Sequence, residues 1–285
     1  MSELTLRILS AAVAAPLVIL AIYLGDAALA SLIGIASAVG AWEFYRMAAH
    51  TGVRPMVALG VPMAAAIPLL VHAYHLRVIV MPLSGAVLLV LLVLAASVAM
   101  RGVEGKPMSA TATTVFGVLY VGATLSFAYG LRYHRFTVDA IGGTALVMLP
   151  LLLTWASDTG AYFTGRAIGG RKLAPTVSPG KTVAGAAGGL VFTMIVAWLL
   201  GRHVLPDMAR LGMTVQGALL FGALISVAAQ VGDLAESMLK REAGVKDSSR
   251  IIPGHGGVLD RVDSLLFTLP LGYFLVDLLT FPAIR

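Results

Sequence analysis

Between Gly232 and Asp263 the chain gathers six of its fourteen acids and five of its twenty Lys and Arg residues. The segment reads GDLAESMLKREAGVKDSSRIIPGHGGVLDRVD, and apolar runs flank it at Val215–Val231 and Leu265–Leu279. Carboxylates suit hard cations, Lys and Arg suit phosphates, and glycine lets a backbone approach a ligand closely. Charges grouped at the mouths of two apolar segments point to a charged ligand. The chemistry they could do is that of a metal–phosphate site at a membrane surface.

Spacing refines this expectation. Asp233, Ser237 and Lys240 stand at i, i+4 and i+7, so they share one face of a helix extending from the preceding apolar run. Asp233 is the residue nearest the bilayer. As an acid near a helix C-terminus it opposes the dipole, so capping does not explain it. A flexible Lys246–Arg250 segment follows, then a turn at Pro253–Gly257 almost without side chains. Asp260 and Asp263, at i and i+3, open the final helix, where simple N-terminal capping is the competing explanation. If the two helices pack side by side, Asp233 and Asp260 converge on one cation, with Asp263 as a further candidate ligand. Oxygen ligands without cysteine favour Mg²⁺ or a similar hard divalent ion over zinc, and a second cation is compatible with the acids present. His255, a single histidine among glycines, suits a turn or phosphate contact better than a metal ligand.

A second polar stretch runs from Trp155 to Thr182 and holds Asp158, Tyr162, Arg166, Ser178, Lys181 and Thr182. Its glycines and prolines predict irregular or broken helix with exposed N–H groups. Gly180-Lys181-Thr182 is not a P-loop, because Pro175 stands where that pattern requires glycine and no strand precedes it. Ser178, Lys181 and Thr182 lie just before a long apolar helix. Either an anion site or an ordinary N-cap with a snorkelling lysine accounts for them. Four of the five lysines (Lys172, Lys181, Lys240 and Lys246) fall in these two stretches, where a compact cation suits a polyphosphate.

The elements that must carry these residues are membrane helices. A mean hydropathy of +0.92 with 12% charged residues excludes an ordinary soluble domain. Nine apolar runs are legible: Ile8–Leu24, Ala27–Trp42, Met56–Tyr74, Val78–Met100, Ala112–Leu131, Ala140–Ala156, Val183–Leu200, Val215–Val231 and Leu265–Leu279. The last is marginal for a span and is expected to borrow flanking residues. The first lacks a signal-peptidase pattern and is expected to stay as an anchor. The expected fold is an all-α polytopic integral membrane protein of about nine transmembrane helices, range seven to nine. Its helices at 1–135 and its catalytic region at 136–285 would form one continuous membrane domain. With nine spans, 14 Lys/Arg fall on the side of the N-terminus and 6 on the other. That bias places the polar loops at the cytoplasmic face of the cell membrane. The absence of cysteine rules out disulfides and thiolate chemistry. The net charge of +6 is expected to meet anionic lipid and not nucleic acid.

The block Ser237-x-x-Lys240-Arg241, Lys246-Asp247, Pro253–Gly257, Asp260-Arg261-x-Asp263 resembles the signature of the phosphatidate cytidylyltransferases, or CDP-diacylglycerol synthases. The stretch Asp158-Thr-Gly160-Ala-Tyr162-Phe-Thr-Gly165-Arg166 with Ser178–Thr182 is similar to a second region of that family. One position departs from it, Ala184, where an acid or amide is expected. The resemblance covers the C-terminal half and implies CTP and phosphatidic acid as substrates, giving CDP-diacylglycerol and pyrophosphate. It implies catalytic roles for Asp233, Asp260, Lys240 and Ser237, with metal on Asp233, Asp260 and Asp263. It implies substrate contacts for Lys181, Ser178, Thr182, Arg241, Lys246, His255, Arg261, Asp158 and Tyr162. Asp158 either stands behind these or pairs with Arg166.

Two other classes compete. A polyprenol or phytol kinase shares the broad chemistry but would lack the glycine turn and its paired acids. A secondary transporter predicts an internal repeat, which the sequence lacks, and mid-span charges, whereas the charges of the two polar stretches are expected at helix ends. Gly185, Gly188 and Gly189 allow close helix packing, either within the chain or at a homodimer seam.

Overall fold

Apolar runs of this length leave the backbone one way to satisfy its polar groups inside a membrane, and the chain takes it. In a computed structural model of the 285-residue chain, helices occupy all nine runs. The structure describes every residue except 1, 2, 81, 82, 103, 253, 284 and 285, and the backbone alone of 3, 4, 6–11, 83 and 84. Pro253 of the glycine turn and Arg285 of the charge count therefore lie outside the described residues.

The helices are α1 (Glu3–Leu24), α2 (Asp26–His50), α3 (Val57–His75), α4 (Leu83–Arg101), α5 (Pro107–Gly117), α6 (Thr124–Arg132) and α7 (Ala140–Ile168). After them come α8 (Val183–His203), α9 (Leu205–Met208), α10 (Val215–Glu242), α11 (Leu259–Val262) and α12 (Leu265–Leu279). A π-helical turn at Val118–Ala123 joins α5 to α6. Two small antiparallel ribbons complete the chain: β1 (Lys172–Ala174) with β2 (Ser178–Thr182), and β3 (Leu211–Gly212) with β4 (Phe281–Pro282). Among the described residues, seven helical segments are long and apolar enough to cross a membrane, the last being Leu259–Leu279, which borrows α11. The other two runs fall on α1 and α4, whose described apolar parts, Ala12–Leu24 and Gly85–Arg101, are shorter. Large apolar side chains such as Leu88, Val98, Val191 and Leu278 are exposed, as lipid-facing residues must be.

The chain divides into two compact units. The first comprises Met1–Tyr129 and Leu239–Val262; the second comprises Gly130–Met238 and Asp263–Arg285. In the first, Tyr45 is fully buried and donates its hydroxyl to the carbonyl of Thr114 at 2.7 Å. In the second, Phe221, Ile225, Leu146 and Leu153 form the core. Buried hydroxyls there satisfy one another, Ser157 with Ser226 at 2.8 Å and Thr154 with Thr268 at 3.1 Å.

Two local expectations change. The stretch after Trp155 is not broken: α7 runs unbroken to Ile168 and carries Asp158, Tyr162 and Arg166 on helix. Its glycines serve packing against α8. A Cβ on Gly160 would lie 3.1 Å from the carbonyl oxygen of Gly188, and one on Gly185 would lie 2.8 Å from that of Ala161. The glycine pattern thus marks close helix approach within the chain, with no interruption of the helix. Similarly, α10 continues to Glu242, so Asp233 lies more than two turns inside it. The dipole acts mainly over the last turn, which here holds Lys240 and Arg241, a favourable arrangement.

Candidate active site

Two lysine–aspartate pairs organise the polar residues, one in each unit. In the first unit, Lys240 at the end of α10 places Nζ 2.7 Å from Oδ1 of Asp260 on α11, and the two side chains are only 12% and 6% exposed. The other carboxylate oxygen of Asp260 accepts from the N–H of Ser248 at 2.9 Å, its hydroxyl at 2.8 Å, and the N–H of Gly257 at 2.8 Å. A capping residue accepts from N–H groups that follow it in its helix. Asp260 reaches back to residues 248 and 257 instead, so its carboxylate fastens a loop. Gly256 makes this approach feasible: its φ is +83°, and a Cβ there would lie 2.9 Å from Oδ2 of Asp260.

The same loop is held from below by a residue that sequence reasoning passed over. Glu43 of α2 is fully buried. Its Oε1 accepts from the Ser249 hydroxyl at 2.5 Å and the Val258 N–H at 3.0 Å. Its Oε2 accepts from the Leu259 N–H at 2.6 Å and faces the Ser248 hydroxyl at 3.3 Å. Ser248 has one hydroxyl proton, and the shorter contact assigns it to Asp260. The expectation of a flexible Lys246–Arg250 segment is therefore corrected, because two of its hydroxyls are tied to buried or half-buried carboxylates. The signal that could have found Glu43 is plain: an acid embedded in an apolar helix costs too much to be incidental.

In the second unit, Lys181 at the end of β2 places Nζ 2.5 Å from Oδ2 of Asp233, with 27% and 31% of the side chains exposed. The Ser237 hydroxyl donates to the other oxygen of Asp233 at 3.3 Å, as the i, i+4 spacing predicts. Asp158 of α7 has Asp233 and Lys181 as its charged neighbours. It does not take Arg166, whose guanidinium donates to the Tyr162 hydroxyl at 2.9 Å. Thr182 caps α8, accepting from the Gly185 N–H at 3.0 Å, so for this residue the N-cap explanation accounts for the side chain. Ser178 is half-buried at the start of β2, opposite Ala174. Asp263 accepts from the N–H of Ser264 at 2.5 Å, just before α12.

The remaining predicted residues lie around the first pair's loop. Arg241 is exposed and donates to the carbonyl of Val245 at 3.4 Å. Lys246 lines a cavity above Ser248 and Ser249. His255 sits in the glycine turn, its N–H donating to the carbonyl of Ile252 at 2.9 Å. Arg261 is exposed on α11. Asp233 belongs to the second unit and Asp260 to the first. Among the described residues, no group of three or more His, Asp or Glu side chains is arranged to hold a metal by itself. Each aspartate nonetheless presents an oxygen to a lysine ammonium, so both face a cation. Magnesium suits such a donor set, since it is commonly held by one or two carboxylates with phosphate oxygens and water completing the shell.

The profile of the cytidylyltransferase family matches residues 5–279. A Pseudomonas aeruginosa protein named phosphatidate cytidylyltransferase is 35% identical over 93% of this chain and 93% of its own length. Proteins of that name from Bacillus subtilis and Haemophilus influenzae are 43% and 46% identical over 54% and 49% of the chain. Those two matches span only about half of each relative, 57% and 48%. Because the profile takes in both α2, which supplies Glu43, and the two aspartates, the chain as a whole belongs to the cytidylyltransferase family.

Proposed function

We propose that the protein transfers the cytidylyl group of CTP to phosphatidic acid, giving CDP-diacylglycerol and pyrophosphate. A phosphate oxygen of the lipid forms a bond to the α-phosphorus of CTP, and the bond from that phosphorus to the β-phosphate bridging oxygen breaks, releasing pyrophosphate. The lipid phosphate is already an anion, so no strong general base is needed. The protein's task is to hold two anions in line and to neutralise the charge that accumulates as pyrophosphate leaves.

The observation that carries this reading is the pair of lysine–aspartate contacts in a chain of this family. Each pair separates into what the reaction needs, an ammonium for a phosphate and a carboxylate for a cation. Lys240 and Lys181, with Arg241 and Arg261, are the groups to neutralise phosphates, and Ser237 keeps Asp233 oriented. Asp233 and Asp263 in the second unit and Asp260 in the first are the candidate carboxylates for Mg²⁺ or a similar divalent ion. When bound it would offset negative charge on the phosphates. The site would open to the cytoplasm, where CTP is found, and to the membrane, where the lipid resides.

The test is pyrophosphate release by the detergent-purified protein given CTP and Mg²⁺, with and without phosphatidic acid, beside an Asp260→Asn variant. Lipid-dependent release lost in the variant is expected. No release across several lipid mixtures and divalent ions would overturn the reading and turn attention to a polyprenol-type kinase, assayed by transfer of the γ-phosphate.

A further inference from the structure

The loop clamped by Glu43 forms one wall of a cavity of 460 Å³ whose opposite wall is the end of α2. Arg46 and His50 come from α2, Lys246 and Arg250 from the loop, and Ser248 and Ser249 from the part that Glu43 holds. Arg46 and His50 follow Glu43 at i+3 and i+7, so the helix face that fastens the loop also delivers two basic side chains beside it. Arg46 is braced over the Trp42 ring, its guanidinium carbon 4.7 Å from the centroid. Asp247 also lines the cavity. Among the described residues, no ion pair neutralises Arg46, Lys246 or Arg250. The cavity therefore has three fixed cations, one carboxylate and a titratable imidazole, an excess of positive charge suited to a phosphate.

A second cavity, of 340 Å³, shares Met47 with the first. It is lined mainly by apolar side chains, including Phe44, Ala48, Val53 and Phe116. A phosphate site beside a mainly apolar cavity, whose polar lining is Thr51, Thr113 and Glu242, matches a lipid phosphate better than a nucleotide.

We propose that the basic cavity between α2 and the 246–250 loop binds a phosphate group, and that its occupant is the phosphate of phosphatidic acid with an acyl chain along the apolar cavity. The inference rests on the proposed reaction and adds to it Arg46, His50 and Arg250 as specificity residues. Ser248 connects the cavity to the reacting centre, because the hydroxyl that borders it donates to Asp260.

The experiment compares Arg46→Gln, Arg250→Gln and Lys246→Gln with Arg54→Gln, which removes an exposed charge outside the cavity. All use the full-length protein in mixed micelles. Losing one charge-assisted contact is expected to raise the KM for phosphatidic acid by about tenfold, with kcat and the KM for CTP within about twofold of the parent. Arg54→Gln should match the parent. A rise in the KM for CTP alone would keep the phosphate site but make the nucleotide its occupant. Unchanged KM values for both substrates would overturn the proposal.

Binding is read separately from turnover. Short-chain phosphatidic acid should raise the thermal midpoint of the parent protein, and short-chain phosphatidylcholine should not. The Arg46→Gln/Arg250→Gln variant should lose the phosphatidic acid response. That loss in a protein without cytidylyl transfer would refute the proposed reaction and leave the phosphate site standing. Equal protection of parent and double variant would refute the site, whatever the activity.

Discussion

The two lysine–aspartate pairs use the same residue types and are built differently. Lys240–Asp260 is nearly buried, and Asp260 accepts four hydrogen bonds that bind helix, loop and glycine turn to one carboxylate. Lys181–Asp233 is about one-third open, and Asp233 has one long additional contact, from Ser237. The first pair is therefore a structural joint as well as a chemical group. The second is poised to exchange its partner for a ligand at small structural cost. A carboxylate fixed by its neighbours loses little entropy when it meets a ligand, whereas an open one is easier to reach.

Replacing Asp260 should have the largest effect. Asp260→Asn removes the counter-charge of a nearly buried lysine, which is expected to cost about 3 kcal/mol of stability together with essentially all activity. The double replacement Lys240→Met/Asp260→Leu should recover part of the thermal midpoint without any turnover. Recovery of turnover would show that the pair is structural only.

Glu43→Gln should rank next. The amide would set its own N–H donors against the donors of Ser249, Val258 and Leu259, at about 1–3 kcal/mol for a buried mismatch. Activity should fall by about a hundredfold, and the 246–258 loop should become cleavable by limited proteolysis. Intact protease resistance in an inactive Glu43→Gln protein would mean that Glu43 acts other than through the loop.

Asp233→Asn sharpens the comparison most directly. Turnover should be lost as for Asp260→Asn, but the thermal midpoint should change little, since a partly exposed pair contributes about 0–1 kcal/mol. Equal destabilisation by the two substitutions would erase the distinction between joint and open site. Thr182→Ala should have a smaller effect. Loss of the α8 cap should cost about 1 kcal/mol, with activity retained, whereas Lys181→Met should lose activity while keeping stability. At the bottom of the scale, Arg77→Ala, on an exposed turn after α3, should leave both unchanged.

Much of the site was legible as residue type and spacing. Asp233, Ser237 and Lys240 share a helix face because their spacing fits the helical period, and Ser237 contacts Asp233 one turn away. Thr182 caps its helix as a threonine before an apolar run should. The glycines of α7 were the misleading signal, whereas Gly185, Gly188 and Gly189 of α8 do approach a neighbouring helix closely. Glycine permits both a break and a close approach, and only the neighbouring helix distinguishes them.

The sequence by itself determined the membrane helices, the polar stretches that interrupt them, and the lysines and aspartates proposed to carry the chemistry. Runs of apolar residues have one stable form in lipid, and charges are too costly there to be scattered. Tertiary structure alone decided which lysine meets which aspartate, and that Asp260 fastens a loop. It also decided that Glu43 holds that loop from a helix more than two hundred residues earlier in the chain. Local periodicity reports the face on which a side chain lies. The partner across that face depends on how distant segments pack, because buried donors and acceptors must find each other wherever the fold brings them.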